Sequence, residues 1–194
     1  VSGIAGAILA GGLSTRMGRD KAFVDFRGRP MIAHAIERLA PQVSTIAISA
    51  NGDPARFASF GLPVLQDVDA SRPGPLAGIA AGLVFARDNG FASIVTVPCD
   101  APFAPRDLVA RLTATEDDKP AVAMSAHGVE PLFASWPVST LPAVEAALAS
   151  GDAAVWRLLE NLGARRVAIP VSDGEDWSLN LNSPEDLAAA ERAP

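Results

Sequence analysis

Leu9-Ala10-Gly11-Gly12-Leu13-Ser14-Thr15-Arg16-Met17-Gly18-Arg19-Asp20-Lys21 follows directly on the apolar run from Ile4 to Leu9. That run reads as a strand buried on both faces, as a parallel sheet requires. A Gly-Gly pair straight after such a strand lets the backbone turn tightly with its N–H groups unshielded, and three glycines put no side chain in the way of an anion. Arg16, Arg19 and Lys21 add three cations within six residues, opposed by a single acid, Asp20. The chain has only two lysines, Lys21 and Lys119, against fourteen arginines, and one of the two sits here. The stretch reads as a phosphate cradle, in which backbone amides form a nest, Lys acts as a point charge and Arg as a planar fork.

Spacing excludes two other phosphate loops. A P-loop needs Gly-Lys-Ser/Thr in direct succession, whereas Gly18 is followed by Arg19, Asp20 and then Lys21. Gly11, Gly12 and Gly18 also lack the Gly-x-Gly-x-x-Gly spacing of a dinucleotide fingerprint.

Outward from the loop, apolar segments of strand length alternate with helical periodicity. Pro30 opens a helix whose Met31, Ile32, Ala35, Ile36 and Leu39 share one face, with His34 partly exposed on it. Thr45 to Ala50 reads as a second strand, and Asp53-Pro54 as the cap and first residue of a short helix ending at Gly61. Pro63 to Gln66 is a third strand delivering Asp67, and Gly74-Pro75 enters a helix that Gly90 closes. Ser93 to Val97 is the fourth strand, ending at Pro98-Cys99-Asp100. This alternation predicts an α/β, Rossmann-like fold, a mostly parallel sheet with helices on both faces. Ala121 to Ser125 and Val129 to Trp136, around His127-Gly128, predict an antiparallel hairpin added at the sheet edge. Two helices, Thr140 to Ser150 and Ala153 to Leu162, and a strand from Arg166 to Ile169 follow.

Ligands of open parallel sheets bind beyond the carboxyl ends of the strands. Gly11, Asn51, Asp67 and Asp100 all fall there, so four segments converge on one predicted crevice. Asp67 reads either as a group meeting ribose, base or metal or as the cap of the next turn. Asp100 reads as a metal carboxylate or as a turn acid. Asn180 and Asn182 share one side of an extended stretch before the helix that Ser183-Pro184 starts, where two amides either bind a polar ligand or serve structure. Cys99 reads as a small packed residue, because no paired histidine would activate it.

Totals bound the function. A length of 194 residues, 49% of them hydrophobic, is one domain's worth with a substantial core, read as a single unit over 1–194. A net charge of −6 argues against a broad nucleic-acid surface, so an anionic ligand is met locally. The single cysteine excludes an internal disulfide and fits a reducing cytoplasm. No apolar run reaches the roughly 18 residues of a membrane span, and the first one is a poor signal peptide.

The run Leu-Ala-Gly-Gly-x-Ser-x-Arg-Met-Gly-x-Asp-Lys resembles the signature loop of the molybdenum cofactor guanylyltransferases, nucleotidyltransferases of Rossmann-like fold. The resemblance extends to Asn51, Asp67, Gly74-Pro75-Leu76-Ala77-Gly78, Pro98-Cys99-Asp100 and Asn180-Leu181-Asn182-Ser183-Pro184-Glu185-Asp186-Leu187, nearly the whole chain. It implies transfer of GMP from GTP to molybdopterin-bound molybdenum with Mg²⁺ held by Asp100. Arg16, Lys21 and Asp100 are then the candidate catalytic residues. Leu9, Ala10, Gly11, Gly12, Gly78 and Lys21 would meet the nucleotide, Asn51 and Asp67 its nucleoside, and Asn180 and Asn182 the pterin. Residues to about 112 would form the nucleotide part and the rest the acceptor part. Protein partners would be transient, those that insert or accept the cofactor. In place of the family's basic first turn this chain has Asp152-Ala153-Ala154, with Arg157 the nearest cation, and Glu130 stands where a histidine is frequent. A cytidylyltransferase on the same pterin, and a nucleotide-binding protein without turnover, are the alternatives.

Overall fold

The computed structural model describes residues 3–11, 20–67, 74–115, 117–171, 176–179, 181, 186–188 and 190. Nine strands are assigned among them: β1 (Ile4–Leu9), β2 (Asp25–Phe26), β3 (Arg29–Pro30), β4 (Thr45–Ser49), β5 (Val64–Leu65), β6 (Ser93–Pro98), β7 (Ala121–Ser125), β8 (Gly128–Pro137) and β9 (Arg165–Ala168). The α-helices are α1 (Met31–Leu39), α2 (Pro75–Asp88), α3 (Leu108–Leu112), α4 (Leu141–Ser150) and α5 (Val155–Asn161).

Seven strands form one sheet in the order β5-β4-β1-β6-β8-β7-β9, and β2 and β3 pair separately. β5, β4, β1 and β6 run parallel, β8 is antiparallel to both β6 and β7, and β9 is parallel to β7. Reversing β8 alone restores the common direction beyond it. The expected hairpin therefore exists, but at a different place: β8 docks on β6 inside the sheet, and β9 forms the edge. Buried Thr96 of β6 fixes that docking, its hydroxyl donating to the carbonyls of Leu132 (2.9 Å) and Ala134 (3.3 Å).

Side chains alternate across the sheet into two cores. Ile8, Val95, Val97 and Phe133 join α1 and α3 on one face. Ala5, Ala7, Ile94, Ala134 and Trp136 join α2, α4 and α5 on the other. The one-sided apolar stripe of α1 is buried as its spacing predicts, through Met31, Ile32, Ala35 and Leu39. α2 packs tightly on the sheet at Gly78, where a β-carbon would come 2.5 Å from Ser49 Oγ and 3.2 Å from Leu9 Cδ2, and at Gly82, where it would come 2.9 Å from Ile94 Cδ1. A methyl at residue 78 would force Ser49 to move.

After β5 the chain crosses over β4 and β1 through α2 to reach β6. The strand order thus reverses at β1, and the crevice between the carboxyl ends of β1 and β6 is where such sheets take ligands.

Candidate active site

A cleft of about 680 Å³, counted out to its open mouth, lies at that reversal. Leu9, Ala10 and Gly11 line it from the end of β1, and Pro98, Cys99 and Asp100 from the end of β6. A hydrogen bond from the Cys99 N–H to the Leu9 carbonyl (3.0 Å) continues the strand pairing past β6 and fixes the separation of the two walls. Gly74, Pro75 and Gly78 bring the amino end of α2 to the cleft, so its partial positive charge faces any anion bound there. Leu132 closes the far side. It gets there because the β7–β8 register shifts between Val122 and Ala123, pairing Ala134 and then Glu130 with successive residues of β7. Pro131, which has no N–H to lose, falls in that irregularity.

Lys21 and Asp100 meet inside the cleft, Nζ donating to Oδ2 at 3.0 Å, with side chains 24% and 14% exposed. The geometry puts a cation and a carboxylate together where both can still reach a ligand. Lys21 begins a 3-10 turn, Lys21–Phe23, which Asp20 caps by accepting the Ala22 N–H at 3.1 Å. The other oxygen of Asp20 pairs with Arg56 Nη2 at 2.9 Å. Arg56 escaped the sequence reading. Its signal was weak, since its partner lies far along the chain, though its place on the turn after β4 pointed to the strand ends. Burial pushes the Cys99 thiol well above its ordinary value, with the nearby Asp100 and Asp20 carboxylates acting in the same direction. The side chain is packed, as read from the sequence, and burial favours its neutral form.

Asn51 and Asp67 clasp each other: Asn51 Nδ2 donates to Asp67 Oδ2 at 2.6 Å and the Asp67 N–H donates to Asn51 Oδ1 at 3.1 Å. Asp67 lines the cleft, and Asn51 lies beside Gly11. Both functions of the Asn51 amide are thus engaged by Asp67, which makes Asn51 foremost the group that orients Asp67. The Ala10 N–H donates to the Ser49 carbonyl (2.8 Å) and the Leu9 carbonyl accepts from Cys99. These two backbone groups belong to the sheet, so the backbone contacts expected of Leu9 and Ala10 are left to their remaining backbone groups.

Gly12, Arg16, Asn180 and Asn182 lie outside the described residues. Around the two asparagines, Ser178 stands in a turn and Leu179 and Leu181 carry no strand pairing, so the described residues there do not form the strand that alternation suggested. The segment is anchored by Trp177, whose indole N–H donates to the Ile169 carbonyl (3.1 Å) and whose ring meets Phe133 edge-on. Asp176 accepts from Ser178 Oγ (2.7 Å) and N–H (3.0 Å) and touches His127 Nε2 (3.1 Å). Its burial raises the carboxyl pKa, but the Ser178 and His127 contacts outweigh that and hold it below the ordinary value. Arg157 binds both oxygens of Asp152 and lies over the Trp156 ring, away from the residues that line the cleft.

Residues 6–173 match the family model of the MobA-like NTP transferase domain. The chain is 48% identical over 187 residues to a molybdenum cofactor guanylyltransferase of Cereibacter sphaeroides, covering 96% of this chain and 94% of that one. It is 45% identical to one of Acidiphilium cryptum, covering 95% and 92%. Among solved structures, molybdopterin-guanine dinucleotide biosynthesis protein A of Archaeoglobus fulgidus superposes with a TM-score of 0.75 at 26% identity over 96% of each chain. Sequence, fold and cleft agree: the chain belongs to the MobA-like NTP transferases, in the family of molybdenum cofactor guanylyltransferases.

Proposed function

We propose that the chain transfers GMP from GTP to the terminal phosphate of molybdopterin-bound molybdenum cofactor. An oxygen of that phosphate attacks the α-phosphorus of GTP, the bond to the β-phosphate oxygen breaks, and pyrophosphate leaves. The names of relatives up to 48% identical support the reaction. The observation that carries the residue assignment is the meeting of Lys21 and Asp100 at the crevice between β1 and β6.

The protein's task in such a transfer is positioning and charge stabilisation rather than covalent chemistry. Lys21 holds phosphate oxygens and meets the negative charge that builds on them. The amino end of α2 presents a further positive dipole, and Gly12 and Arg16 are assigned to the phosphates. Asp67, held by Asn51, faces the nucleoside. Asn180 and Asn182 are assigned to the pterin, which divides the chain into a nucleotide part to about residue 112 and an acceptor part after it.

Among the described residues no group of three His, Cys, Asp or Glu is placed to hold a metal by itself. Asp100, a single carboxylate ending a buried strand, is the donor set that Mg²⁺ accepts when phosphate oxygens and waters complete its shell. When bound, Mg²⁺ would neutralise charge on the triphosphate and the leaving pyrophosphate. No helix among the described residues is long and apolar enough to cross a membrane. A chain with a single cysteine fits the cytoplasm to which we assign it, and handing on the product calls for transient contact with insertion or acceptor proteins. Isothermal titration of GTP and of CTP in the presence of Mg²⁺ tests the nucleotide. GTP binds at least about tenfold more tightly, roughly 1.4 kcal/mol, on this reading; equal affinity or a preference for CTP contradicts it.

A further inference from the structure

Asp20 is the single acid of the phosphate loop, and it lines the cleft that Lys21 and Asp100 share. An unpaired carboxylate there would repel a polyphosphate and would compete with it for Lys21. The structure places a dedicated partner against it. Arg56 sits on the 3-10 helix Pro54–Phe60, held at its start by Asp53, which accepts the Ala55 N–H at 2.9 Å, and closed by Gly61 in the left-handed conformation. Its guanidinium carbon lies 5.1 Å over the ring of buried Phe57 and 5.7 Å over that of Phe23, two rings that are themselves 5.1 Å apart. A stacked guanidinium loses little further freedom when it makes a hydrogen bond. From that seat Nη2 reaches Asp20 Oδ2 at 2.9 Å, while Oδ1 is kept on the Ala22 N–H.

We propose that Arg56 is a positioning residue for the nucleotide: it neutralises Asp20 and anchors it as the cap of the Lys21 turn, so that the polyphosphate meets Lys21 rather than a carboxylate. This deepens the proposed function and rests on its assignment of the phosphates to Lys21. Arg56 touches no reacting atom in this account. Its action runs wholly through the charge and placement of Asp20.

The test is a suppressor experiment on the full chain, with GTP affinity read by titration in the presence of Mg²⁺ and folding checked by thermal melting. Arg56→Ala weakens GTP about tenfold. Arg56→Gln, which keeps a stem against Phe57, weakens it in the same direction and guards against a variant that fails to fold. Adding Asp20→Asn to either one restores affinity to within about threefold of the original, because asparagine caps a turn as well as aspartate and brings no charge to the phosphates. If neither Arg56 variant changes GTP affinity, or if Asp20→Asn fails to restore it, the proposal is overturned, since an arginine that only packs Phe23 and Phe57 would be indifferent to residue 20. Lys21→Ala is run alongside. Unchanged GTP affinity in that variant overturns the phosphate assignment itself, whereas weakened binding there with inert Arg56 variants overturns the role of Arg56 alone.

Discussion

Lys21 and Asp100 share one hydrogen bond, yet the chemistry asks different things of them. On the proposed reading Lys21 would hold phosphates in ground and transition states alike, so Lys21→Ala should weaken GTP binding with a folded protein left behind. As the proposed metal carboxylate Asp100 would matter most where charge builds on the reacting oxygens, so Asp100→Ala should cost turnover more than affinity, by over about tenfold in kcat, roughly 1.4 kcal/mol of barrier. Steady-state kinetics on the two variants check the split, and an Asp100→Ala enzyme within tenfold of normal turnover would move the carboxylate role elsewhere. Cys99 gives a second prediction. Its thiol is held neutral above its ordinary value of 9.0, chiefly by burial. The unfolded chain therefore loses that proton first as pH rises, and the contribution of Cys99 to stability is complete below about pH 8.5 and declines above it. Iodoacetamide at pH 8 should label the native protein far more slowly than the unfolded one; equal rates would contradict the buried, protonated assignment. At this scale the sequence brought Gly11, Lys21, Asp67 and Asp100 to one crevice, as the structure does, because their positions follow from the strand ends nearby. It did not show Arg56, whose role depends on a contact with Asp20 from a separate segment. Nor did it show that Asn51 spends its amide on Asp67.

α2 is the element on which the cleft depends, because its first turns form one wall and its seat on β4 and β1 leaves no room for a side chain at residue 78. Gly78→Ala should destabilise the fold by about 1–3 kcal/mol through overpacking. For a chain of this size that is a fall in melting temperature of roughly 3–10 °C. Ser49→Ala removes the oxygen that the new methyl would meet at 2.5 Å and leaves the Ser49 β-carbon at an ordinary 3.4 Å. The pair should melt closer to Ser49→Ala alone than additivity gives, with a small residual cost from Leu9 Cδ2 at 3.2 Å. Additive losses in the double variant would show that Ser49 is not the obstacle. The parallel half of the sheet was readable from the alternation of apolar strands with helices. The position of the β7–β8 hairpin was not, since local pattern gives a strand's existence and not its neighbour. β8 finds β6 through the Thr96 hydroxyl and the shared cores on its two faces, and that contact spans distant parts of the sequence.

The whole molecule carries a net charge of −6 yet is assigned a highly anionic substrate. The cations the cleft does have are placed to meet that substrate: Lys21 and the amino end of α2 coincide where the strand order reverses, and Arg56 offsets the Asp20 carboxylate there. The fold follows from those features and the proposed phosphate site rests on them, whereas the base is decided by hydrogen bonds at the pocket's edge, which no single motif spells out. A site built for one base leaves buried groups unpaired with another, at a cost of several kcal/mol. The most direct test of the central claim is therefore a competition: the purified chain, molybdopterin-bound molybdenum cofactor, Mg²⁺ and equal GTP and CTP, with the nucleotide on the product identified by mass. A guanine dinucleotide product in at least about hundredfold excess, on the order of 2.7 kcal/mol in turnover per unit concentration, is the expected result. A product carrying mainly CMP would contradict the guanylyl assignment, and no nucleotide-bearing product would contradict the transferase reading altogether.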